Sequence, residues 1–271
     1  MPAFDIEAVT RQLRAAGCVF AEDEARLLVH SARSAGELAG LVARRVAGNP
    51  LEYVLGWAEF KGLQVGVRAG VFVPRRRSAL LVDEALTLAR AHPPRTVVDL
   101  CCGSGALGLA LVTGLSGHPG PLPDLYAADI DPVAVDCARA NLAGIGGQVY
   151  QGDLFDALPA RLRGRIDILL ANTPYVPSEF LARMPPEARD HEPAAALDGG
   201  PDGLHLARRT AAAAPAWLAP GGCLLIEIGA DQVPAATALL AGNGFRARIA
   251  RAAELGATVA IGLPATATSG P

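Results

Sequence analysis

Apolar residues follow two different patterns along the chain, and the change comes near residue 78. Residues 5–47 have the pattern of short helices. Within them, Ser34 and Glu37 stand at the spacing of a capping box, in which each side chain accepts a hydrogen bond from a backbone N–H at the helix start. Between residues 51 and 74, apolar and polar side chains alternate loosely among several glycines, which predicts a connecting hairpin rather than a domain of its own.

From residue 78 onward, strand-like runs alternate with helical stretches. The predicted strands are residues 96–100, 125–129, 148–151, 166–171 and 222–228, and the helices between them include residues 132–142 and 203–218. Two more strand-like runs are separated only by a short turn and are expected to pair antiparallel at a sheet edge, residues 245–250 and 257–263. The pattern predicts an α/β fold with a mostly parallel, seven-stranded sheet covered on both faces by helices.

The same changes of pattern predict how the chain is divided. A length of 271 residues suits one large domain with a small appendage. The expected parts are a small helical region, a linker hairpin, an α/β domain and a tail, at residues 1–47, 48–77, 78–263 and 264–271.

Composition narrows the class of protein. Hydrophobic residues make up 51% of the chain, yet no apolar run reaches the ~18 residues that would span a bilayer. The N-terminus lacks the pattern of a signal peptide, so we expect a cytoplasmic protein that is not bound to a membrane. The net charge of −3 argues against stable binding of nucleic acid. The five cysteines form no Cys-x-x-Cys pair and the five histidines are scattered, so no metal site is predicted.

The strand at residues 96–100 runs into a glycine turn and then a helix start. Ligands of open parallel sheets bind beyond the carboxyl ends of the strands, so this turn is expected to face a cofactor. Gly103 and Gly105 lack a Cβ and would let the backbone approach a ligand closely, while the helix start offers free N–H groups to a carboxylate. Asp99 and Cys101, in the same run of residues, complete the candidate cofactor-binding turn.

Acidic residues recur at the ends of the next two predicted strands. Asp129 is placed to accept hydrogen bonds from both hydroxyls of a ribose, whereas Asp131, directly before a proline, is expected to cap the next helix. Asp153 can accept from an adenine amino group while the Leu154 N–H donates to the ring. The glycine pattern together with Asp129 also fits the dinucleotide fingerprint, so a dehydrogenase remains an alternative at this point.

The strand at residues 166–171 leads straight into the tetrad Asn172-Thr173-Pro174-Tyr175. This tetrad resembles the Asn-Pro-Pro-Tyr signature of amino-methyltransferases, which methylate planar nitrogens. The Asn172 side-chain oxygen and the carbonyl of residue 173 can accept the two N–H bonds of an amide and direct its lone pair toward a methyl donor. Pro174 stiffens the turn, Tyr175 can stack on the acceptor, and Asn172 is also expected to line the cofactor site.

The resemblance extends to the bacterial protein N5-glutamine methyltransferases. It rests on the runs Pro-Leu-Glu-Tyr-Val-Leu-Gly, Glu-Phe-Lys-Gly-Leu, Val-Pro-Arg and Leu-Leu-Ile-Glu-Ile-Gly, and on the segment from Glu-Pro to Asp-Gly-Leu at residues 192–204. It implies a Rossmann-like fold of class I and S-adenosylmethionine as the cofactor. The implied substrate partner is a peptide chain release factor, methylated on the glutamine of its Gly-Gly-Gln loop, with residues 1–47 helping to recognise it.

Several residues depart from that family's pattern. Thr173 replaces the first proline of the tetrad, Cys101 stands where a glycine is usual, and Ala79 replaces a glutamate that follows a threonine, here Ser78. The N-terminal region is also shorter than in the family. Two alternatives therefore stay open: an N6-adenine methyltransferase acting on nucleic acid, which uses the same tetrad, and a cofactor-binding interaction module that has lost catalysis.

Overall fold

A computed structural model describes residues 5–118 and 120–264 of the chain. Of the predicted tail at 264–271, only Pro264 lies within the described residues, and it ends the last strand. The predicted division into a recognition region, a linker and a catalytic domain stays a prediction. The helical pattern expected near the N-terminus is confirmed by three helices that pack around a hydrophobic cluster containing Leu13 and Leu28: α1 (Ile6–Ala15), α2 (Ala21–Ser31) and α3 (Ala35–Val46).

The predicted capping box at the start of α3 is half confirmed. The Ser34 Oγ accepts from the Glu37 N–H at 3.1 Å, as expected. The Glu37 carboxylate, however, accepts from the N–H of Arg33 at 2.8 Å and not from that of Ser34. The Arg33 guanidinium lies 3.6 Å from the same carboxylate, and this attraction draws the acid one residue further from the helix than a capping box requires.

The segment that follows α3 forms the predicted connecting hairpin. Its first residues are helical, however, in α4 (Leu51–Leu55), which ends at Gly56 in the left-handed conformation with φ +82°. Strands β1 (Trp57–Phe60) and β2 (Leu63–Gly66) then pair antiparallel. The hairpin is held against the rest of the chain because the Asn141 side chain accepts from the Gly66 N–H and donates to the Gly66 carbonyl, both at 2.9 Å.

The main sheet has seven strands in the order β5-β4-β3-β6-β7-β9-β8. They are β3 (Thr96–Leu100), β4 (Asp124–Asp129), β5 (Gln148–Gln151), β6 (Ile166–Ala171), β7 (Leu218–Glu227), β8 (Phe245–Ala252) and β9 (Ala257–Pro264). Strands β3 to β7 are all parallel to one another. Strand β9 pairs antiparallel with both β7 and β8. The predicted mostly parallel sheet with an antiparallel edge hairpin is confirmed.

Helices cover both faces of this sheet. One face carries α5 (Ala79–Ala91), α6 (Ala106–Leu115) and α7 (Pro132–Leu142), and the other carries α9 (His205–Ala213) and α10 (Val233–Gly242). A short helix, α8 (Pro186–His191), lies in the long segment after β6. Successive residues of β3 enter opposite cores, Val97 on the α5–α7 side and Val98 on the α9–α10 side. Both faces of the central strands are therefore buried, as a parallel sheet requires.

The predicted helix at residues 203–218 is too long. Helix α9 ends at Ala213 and a single 3-10 turn, Ala214–Ala216, follows it. Pro215 has no N–H to donate and its ring clashes with the preceding turn, so an α-helix cannot continue through it. Strand β7 correspondingly begins at Leu218, before the predicted residue 222. Its pairing with β6 is irregular at first and becomes regular from Cys223, which is where the sequence pattern is clearest.

Candidate active site

A cavity of about 300 Å³ opens at the carboxyl ends of the central strands. The chain runs from β3 outward to β4 and β5 and then returns to add β6 on the other side, so β3 and β6 flank the point where the strand order reverses. Ligands of such sheets bind at this crevice. Most of the predicted site residues line it: Cys101, Gly103, Asp129, Asp153, Leu154, Asn172, Thr173, Pro174 and Tyr175.

The glycine turn after β3 is built from left-handed backbone. Cys101 has φ +54°, a conformation that a glycine adopts without strain and that a side chain disfavours. Gly103 also has φ +54°, and a Cβ added there would meet no atom closer than 4.0 Å, so its open side can face a ligand. Cys101 thus occupies a position whose backbone explains why a glycine is usual there.

Two residues predicted to bind the cofactor do not line the cavity. A Cβ on Gly105 would lie 3.3 Å from the Ala138 Cβ and still closer to Leu142, so this glycine allows α6 to pack against α7. Asp99 is fully buried, and its Oδ2 accepts from the Gly108 N–H at 2.9 Å. Asp99 and Gly105 support the turn from below and are not among the residues that line the cavity, and their predicted contact with the cofactor stays a prediction.

Burial has a strong effect on the acidity of Asp99. The pKa of this carboxyl is raised to about 7, chiefly by burial; the hydrogen bond from the Gly108 N–H opposes the rise and the nearby Asp129 carboxylate adds to it. Its Oδ1 has no hydrogen-bond partner within the part of the chain that the structure describes. An ionised Asp99 therefore destabilises the folded protein.

Asp129 is held in place by backbone donors. Its Oδ2 accepts from the Gly103 N–H at 2.9 Å and its Oδ1 from the Asp131 N–H at 3.0 Å, which leaves one lone-pair direction on each oxygen for a ligand. Burial raises the pKa of Asp129. The prediction that Asp131 caps the next helix is confirmed, since its side chain accepts from the Val133 N–H at 2.7 Å.

Ile130 and Arg209 are among the cavity residues that were not predicted from the sequence. Ile130 follows Asp129 and is 62% exposed while lining the cavity, so it offers an apolar surface to a flat ligand. Its position in the sequence, directly after an acidic residue that ends a strand, is the signal that could have identified it. Arg209, on α9, holds the Asp153 carboxylate with two hydrogen bonds of 3.1 and 2.7 Å. No local pattern links residues 56 positions apart, so sequence reasoning could not find this pair.

These residues fit S-adenosylmethionine. Asp129 presents a fixed carboxylate of the kind that binds ribose hydroxyls, and Ile130 beside it supplies an exposed apolar face for an adenine ring. Leu154 begins a 3-10 turn with φ +48°, and the first N–H groups of such a turn have no partner within it. Gly103 would hold backbone close to the ligand. Each of these features belongs to the same cavity.

The tetrad follows β6 at the opposite side of the cavity. Asn172 donates from its Nδ2 to the Ser78 Oγ at 3.3 Å, and its Oδ1 takes no hydrogen bond from the described residues. Tyr175 donates from its hydroxyl to Glu227 Oε1 at 3.0 Å. Thr173 is 1% exposed, and its Oγ1 is buried without a partner among residues 5–118 and 120–264. Asn172 lines the cavity with its Oδ1 unbonded, whereas the side-chain hydroxyls of Thr173 and Tyr175 are buried or already bonded within the protein.

A buried acid lies behind the tetrad. Glu227, at the end of β7, is 2% exposed, and burial raises its pKa. The Ser78 hydroxyl, the Arg77 guanidinium and the Tyr175 hydroxyl each hold that pKa down. Sequence reasoning did not assign a role to this acid, although a charged residue at the end of the apolar run Leu-Leu-Ile was a signal.

Within the described chain, no group of three or more His, Cys, Asp or Glu side chains is arranged to hold a metal ion. In those residues there is also no helix with the length and apolar character needed to cross a bilayer.

Relatives of known name match most of the chain. A family model described as Methyltransferase small domain matches residues 63–182. A release factor glutamine methyltransferase from Geobacter sulfurreducens is 38% identical over 208 residues, which cover 76% of this chain and 70% of the relative. One from Gloeobacter violaceus is 40% identical and covers 76% and 71%, and one from Mycolicibacterium smegmatis is 36% identical and covers 82% of each chain.

Solved structures are similar in fold. A 16S rRNA methyltransferase from Thermus thermophilus, solved with AdoMet and guanosine, has a TM-score of 0.55 and 21% identity, and the match covers 77% of this chain and 50% of that one. A ribosomal protein L11 methylase from Lactobacillus delbrueckii subsp. bulgaricus has a TM-score of 0.51 and 19% identity over 74% and 86% of the two chains. At such identities the likeness establishes the fold alone.

The relatives do not favour a dehydrogenase, an N6-adenine methyltransferase or an inactive binding module. The fold, the residues that line the cavity and the sequence identity to named relatives all support the same assignment. The chain belongs to the release factor glutamine methyltransferase family, and it is a class I S-adenosylmethionine-dependent methyltransferase.

Proposed function

We propose that this protein methylates the side-chain amide nitrogen of a glutamine in a peptide chain release factor. The observation that carries the proposal is the Asn172 carboxamide: its Nδ2 is occupied by Ser78, and its Oδ1 is left as a hydrogen-bond acceptor in the cavity. A primary amide brings two N–H donors to the site. An acceptor oxygen placed beside the cofactor cavity suits such a substrate.

Two oxygens are proposed to hold the acceptor. A carboxamide nitrogen is a weak nucleophile because its lone pair is delocalised into the carbonyl. S-Adenosylmethionine supplies an electrophilic methyl group. The Asn172 Oδ1 and the carbonyl of Thr173 accept the two N–H bonds, direct the nitrogen toward that methyl group and stabilise the positive charge that develops on nitrogen. The alkylated nitrogen is acidic and releases one proton to solvent, so the site needs no strong base.

The walls of the cavity near the tetrad suit this role. Met184, Pro193, Ala196 and Leu197 come from the segment between β6 and α9 and line the same cavity as the tetrad. Their apolar surfaces limit the access of water to the acceptor, which strengthens the hydrogen bonds made there. The Tyr175 ring is fixed by its hydroxyl bond to Glu227 and by the Arg77 guanidinium 5.5 Å from its centroid, and we propose that it packs against the carboxamide.

The N-terminal helices are proposed to contact the release factor. Arg45 on α3 joins this region to the segment beside the cavity, because its guanidinium lies 2.6 Å from Glu24 on α2 and 2.7 Å from Glu187 on α8. Val19 and Phe20, in the turn between α1 and α2, are 83% and 69% exposed and supply apolar contact surface. The relatives' name supports a release factor as the partner, and the cytoplasm, where translation takes place, as the proposed location.

Mass spectrometry tests the proposed function. The purified protein is incubated with S-adenosylmethionine and release factor, and the factor is digested and mapped. A mass gain of one methyl group on the peptide that contains Gly-Gly-Gln is expected. Oligonucleotides serve as the second substrate, and methylation of these with an unmodified release factor would contradict the proposal in favour of a nucleic-acid enzyme.

The Asn172→Ala variant tests the role of the tetrad. Removing the Oδ1 acceptor is expected to lower the rate of methyl transfer by roughly 10²–10³-fold, the usual effect of deleting one preorganised polar group. Binding of S-adenosylhomocysteine, measured by calorimetry, should change little because the lost oxygen serves the acceptor. A variant that transfers methyl at the wild-type rate would contradict the assignment.

A further inference from the structure

Gln232 is a buried residue whose side chain bonds the end of the tetrad. It is 6% exposed, ends a 3-10 turn after β7 and does not line the cavity. Its Nε2 donates to the carbonyl of Tyr175 at 2.9 Å and to that of Asp202 at 3.0 Å, and its Oε1 accepts from the Gly229 N–H at 2.7 Å. The carboxamide therefore joins the tetrad to the segment before α9, across 57 and 30 positions of sequence.

These bonds fix the orientation of the Gln232 carboxamide. Both of its N–H hydrogens are used by carbonyl oxygens, and its own oxygen is used by an N–H. Rotation by half a turn would set the oxygen against two carbonyls and the nitrogen against a donor, so only one orientation satisfies every group. Gln232 is therefore a rigid support for the Tyr175 carbonyl.

The 199–203 loop, which precedes α9, packs directly against the tetrad backbone. A Cβ added to Gly199 would lie 2.6 Å from the Pro174 carbonyl oxygen. One added to Gly203, where φ is +74°, would overlap the Tyr175 carbonyl oxygen and the carboxamide nitrogen bonded to it. The loop can approach the tetrad this closely only because both positions lack a side chain.

The residue after the tetrad is bonded into the same loop. The Val176 N–H donates to the Leu197 carbonyl at 3.2 Å, and the Gly199 N–H donates to the Val176 carbonyl at 2.8 Å. The three successive carbonyls of residues 174–176 are therefore each contacted by Gln232 or by this loop. The carbonyl directly before them, that of residue 173, is the one that the proposed function assigns to the substrate.

Support at the end of the tetrad reaches its middle because few torsions separate the two. The ring of Pro174 locks its φ near about −65°, so a single free torsion lies between the carbonyl of Thr173 and that of Pro174. Thr173 itself stands where the Asn-Pro-Pro-Tyr signature has a further proline, and it has no ring to restrict its own φ. Contacts from outside the turn must therefore set the direction of the Thr173 carbonyl.

We propose that Gln232 is a positioning residue for methyl transfer and that it acts together with the 199–203 loop. It holds the carbonyl of Tyr175, the loop holds that of Pro174, and the carbonyl of Thr173 is thereby kept toward the N–H of the substrate amide. The inference rests on the proposed function. It gives the glutamine and the two glycines of the loop a role in the reaction in addition to their role in packing.

Kinetics of the Gln232→Met variant test the proposal. Methionine has a similar length and fills the same space but makes none of the three hydrogen bonds. The kcat for methylation of the release factor should fall by about 10²-fold, the usual loss when a reacting group is misplaced. The KM for the release factor and the affinity for S-adenosylhomocysteine should stay within a few-fold. Wild-type kcat in the folded variant, or a loss confined to KM or to cofactor affinity, would overturn the proposal.

A pair of glycine variants separates positioning from a general structural effect. Gly203 and Gly164 have similar left-handed backbones, with φ of +74° and +68°, so alanine causes similar backbone strain at each. Only at Gly203 would the added Cβ overlap the Tyr175 carbonyl, since at Gly164, in the turn before β6, it would meet no atom within 4 Å. Gly203→Ala should therefore lose kcat as Gln232→Met does, and Gly164→Ala should keep it. Equal kcat values for the two glycine variants would overturn the proposal.

A double-mutant cycle tests whether the two supports act on the same carbonyl. The double variant of Gln232→Met with Gly203→Ala should be little slower than the slower single variant, because each single change already releases or displaces the Tyr175 carbonyl. Fully additive losses would show that the two residues act independently and would overturn the proposal.

Amide hydrogen exchange gives a readout that does not need the protein substrate. The N–H groups of Val176 and Gly199 are bonded between the tetrad and the loop and should exchange slowly with solvent by NMR, but faster in Gln232→Met. Equal exchange rates would overturn the positioning role, even if the release factor is methylated. Faster exchange in the variant, with no methylation of a release factor by the wild type, would contradict the proposed function alone. Should Gln232→Met fail to fold, the same measurements on Gly203→Ala and Gly164→Ala take its place.

Discussion

The Asp99→Asn substitution tests the structural role assigned to the acid beneath the glycine turn. Asp99 is fully buried, and its pKa is raised from 3.8 to about 7. Between these two pH values the folded protein keeps a proton that the unfolded chain has released. The free energy of unfolding therefore falls as the pH rises through this interval, and it levels off once Asp99 is ionised in both states.

The magnitude follows from the difference in pKa. Each pKa unit corresponds to about 1.4 kcal/mol, so ionised Asp99 destabilises the folded state by roughly 4 kcal/mol above pH 7. Linkage places more than half of this loss of stability between about pH 5 and about pH 8. Asparagine keeps the shape and an oxygen for the Gly108 N–H but does not ionise. The variant should lack this part of the pH dependence and should be the more stable protein at about pH 8.

Urea denaturation at several pH values measures the difference. The wild-type protein and Asp99→Asn should differ in the pH dependence of their unfolding free energies, while both bind S-adenosylhomocysteine, since Asp99 does not line the cavity. Asp124→Asn, at the exposed start of β4, is the control for removing one acidic group without changing a buried site. Parallel pH profiles for wild type and Asp99→Asn would refute the reasoning.

Three further substitutions test other parts of the structure. Thr173→Val removes a buried hydroxyl that has no partner in the described residues, so the free energy of unfolding measured in urea should rise by about 1–2 kcal/mol. A lower free energy of unfolding would show that the hydroxyl is hydrogen-bonded. Arg209→Ala removes the partner of Asp153 in the cavity and should weaken S-adenosylhomocysteine binding about tenfold in calorimetry. The control, Arg208→Ala, breaks the neighbouring ion pair with Asp202 outside the cavity and should leave this binding unchanged. Equal effects of the two substitutions would contradict a role of Arg209 in cofactor binding. Arg45→Ala leaves Glu24 buried and unpaired and should destabilise α1–α3 by about 3–5 kcal/mol. The amide protons of these helices should then exchange faster with solvent, and unchanged exchange rates would contradict the prediction.

The sequence predicts the parallel sheet well because its signals are local. Strand β3 matches its predicted bounds, 96–100, since a buried apolar run ends at a turn rich in glycine. Helix α7 also matches its predicted bounds, and its start was predictable because Asp131 caps it and Pro132 occupies its first position, which are local signals that need no tertiary information. Helix α9 fails at its end, where Pro215 and the start of β7 follow one another closely.

The candidate site was less predictable because it depends on contacts between distant segments. The motif after β3 does not show which of its members line the cavity: Gly103 does, but Gly105 packs against α7 and Asp99 lies beneath the turn. The pairing of Asp153 with Arg209 joins positions far apart in the chain, as does that of Asn172 with Ser78. Such pairs follow from the way the helices pack on the sheet, which spacing alone does not encode.

A crystal structure with S-adenosylhomocysteine and a peptide containing Gly-Gly-Gln tests the central claim most directly. The account predicts that the glutamine amide nitrogen lies within about 3 Å of both the Asn172 Oδ1 and the carbonyl oxygen of Thr173, and faces the sulfur of the cofactor product. A glutamine side chain bound by other groups, or an Asn172 carboxamide that presents its Nδ2 to the peptide, would contradict it.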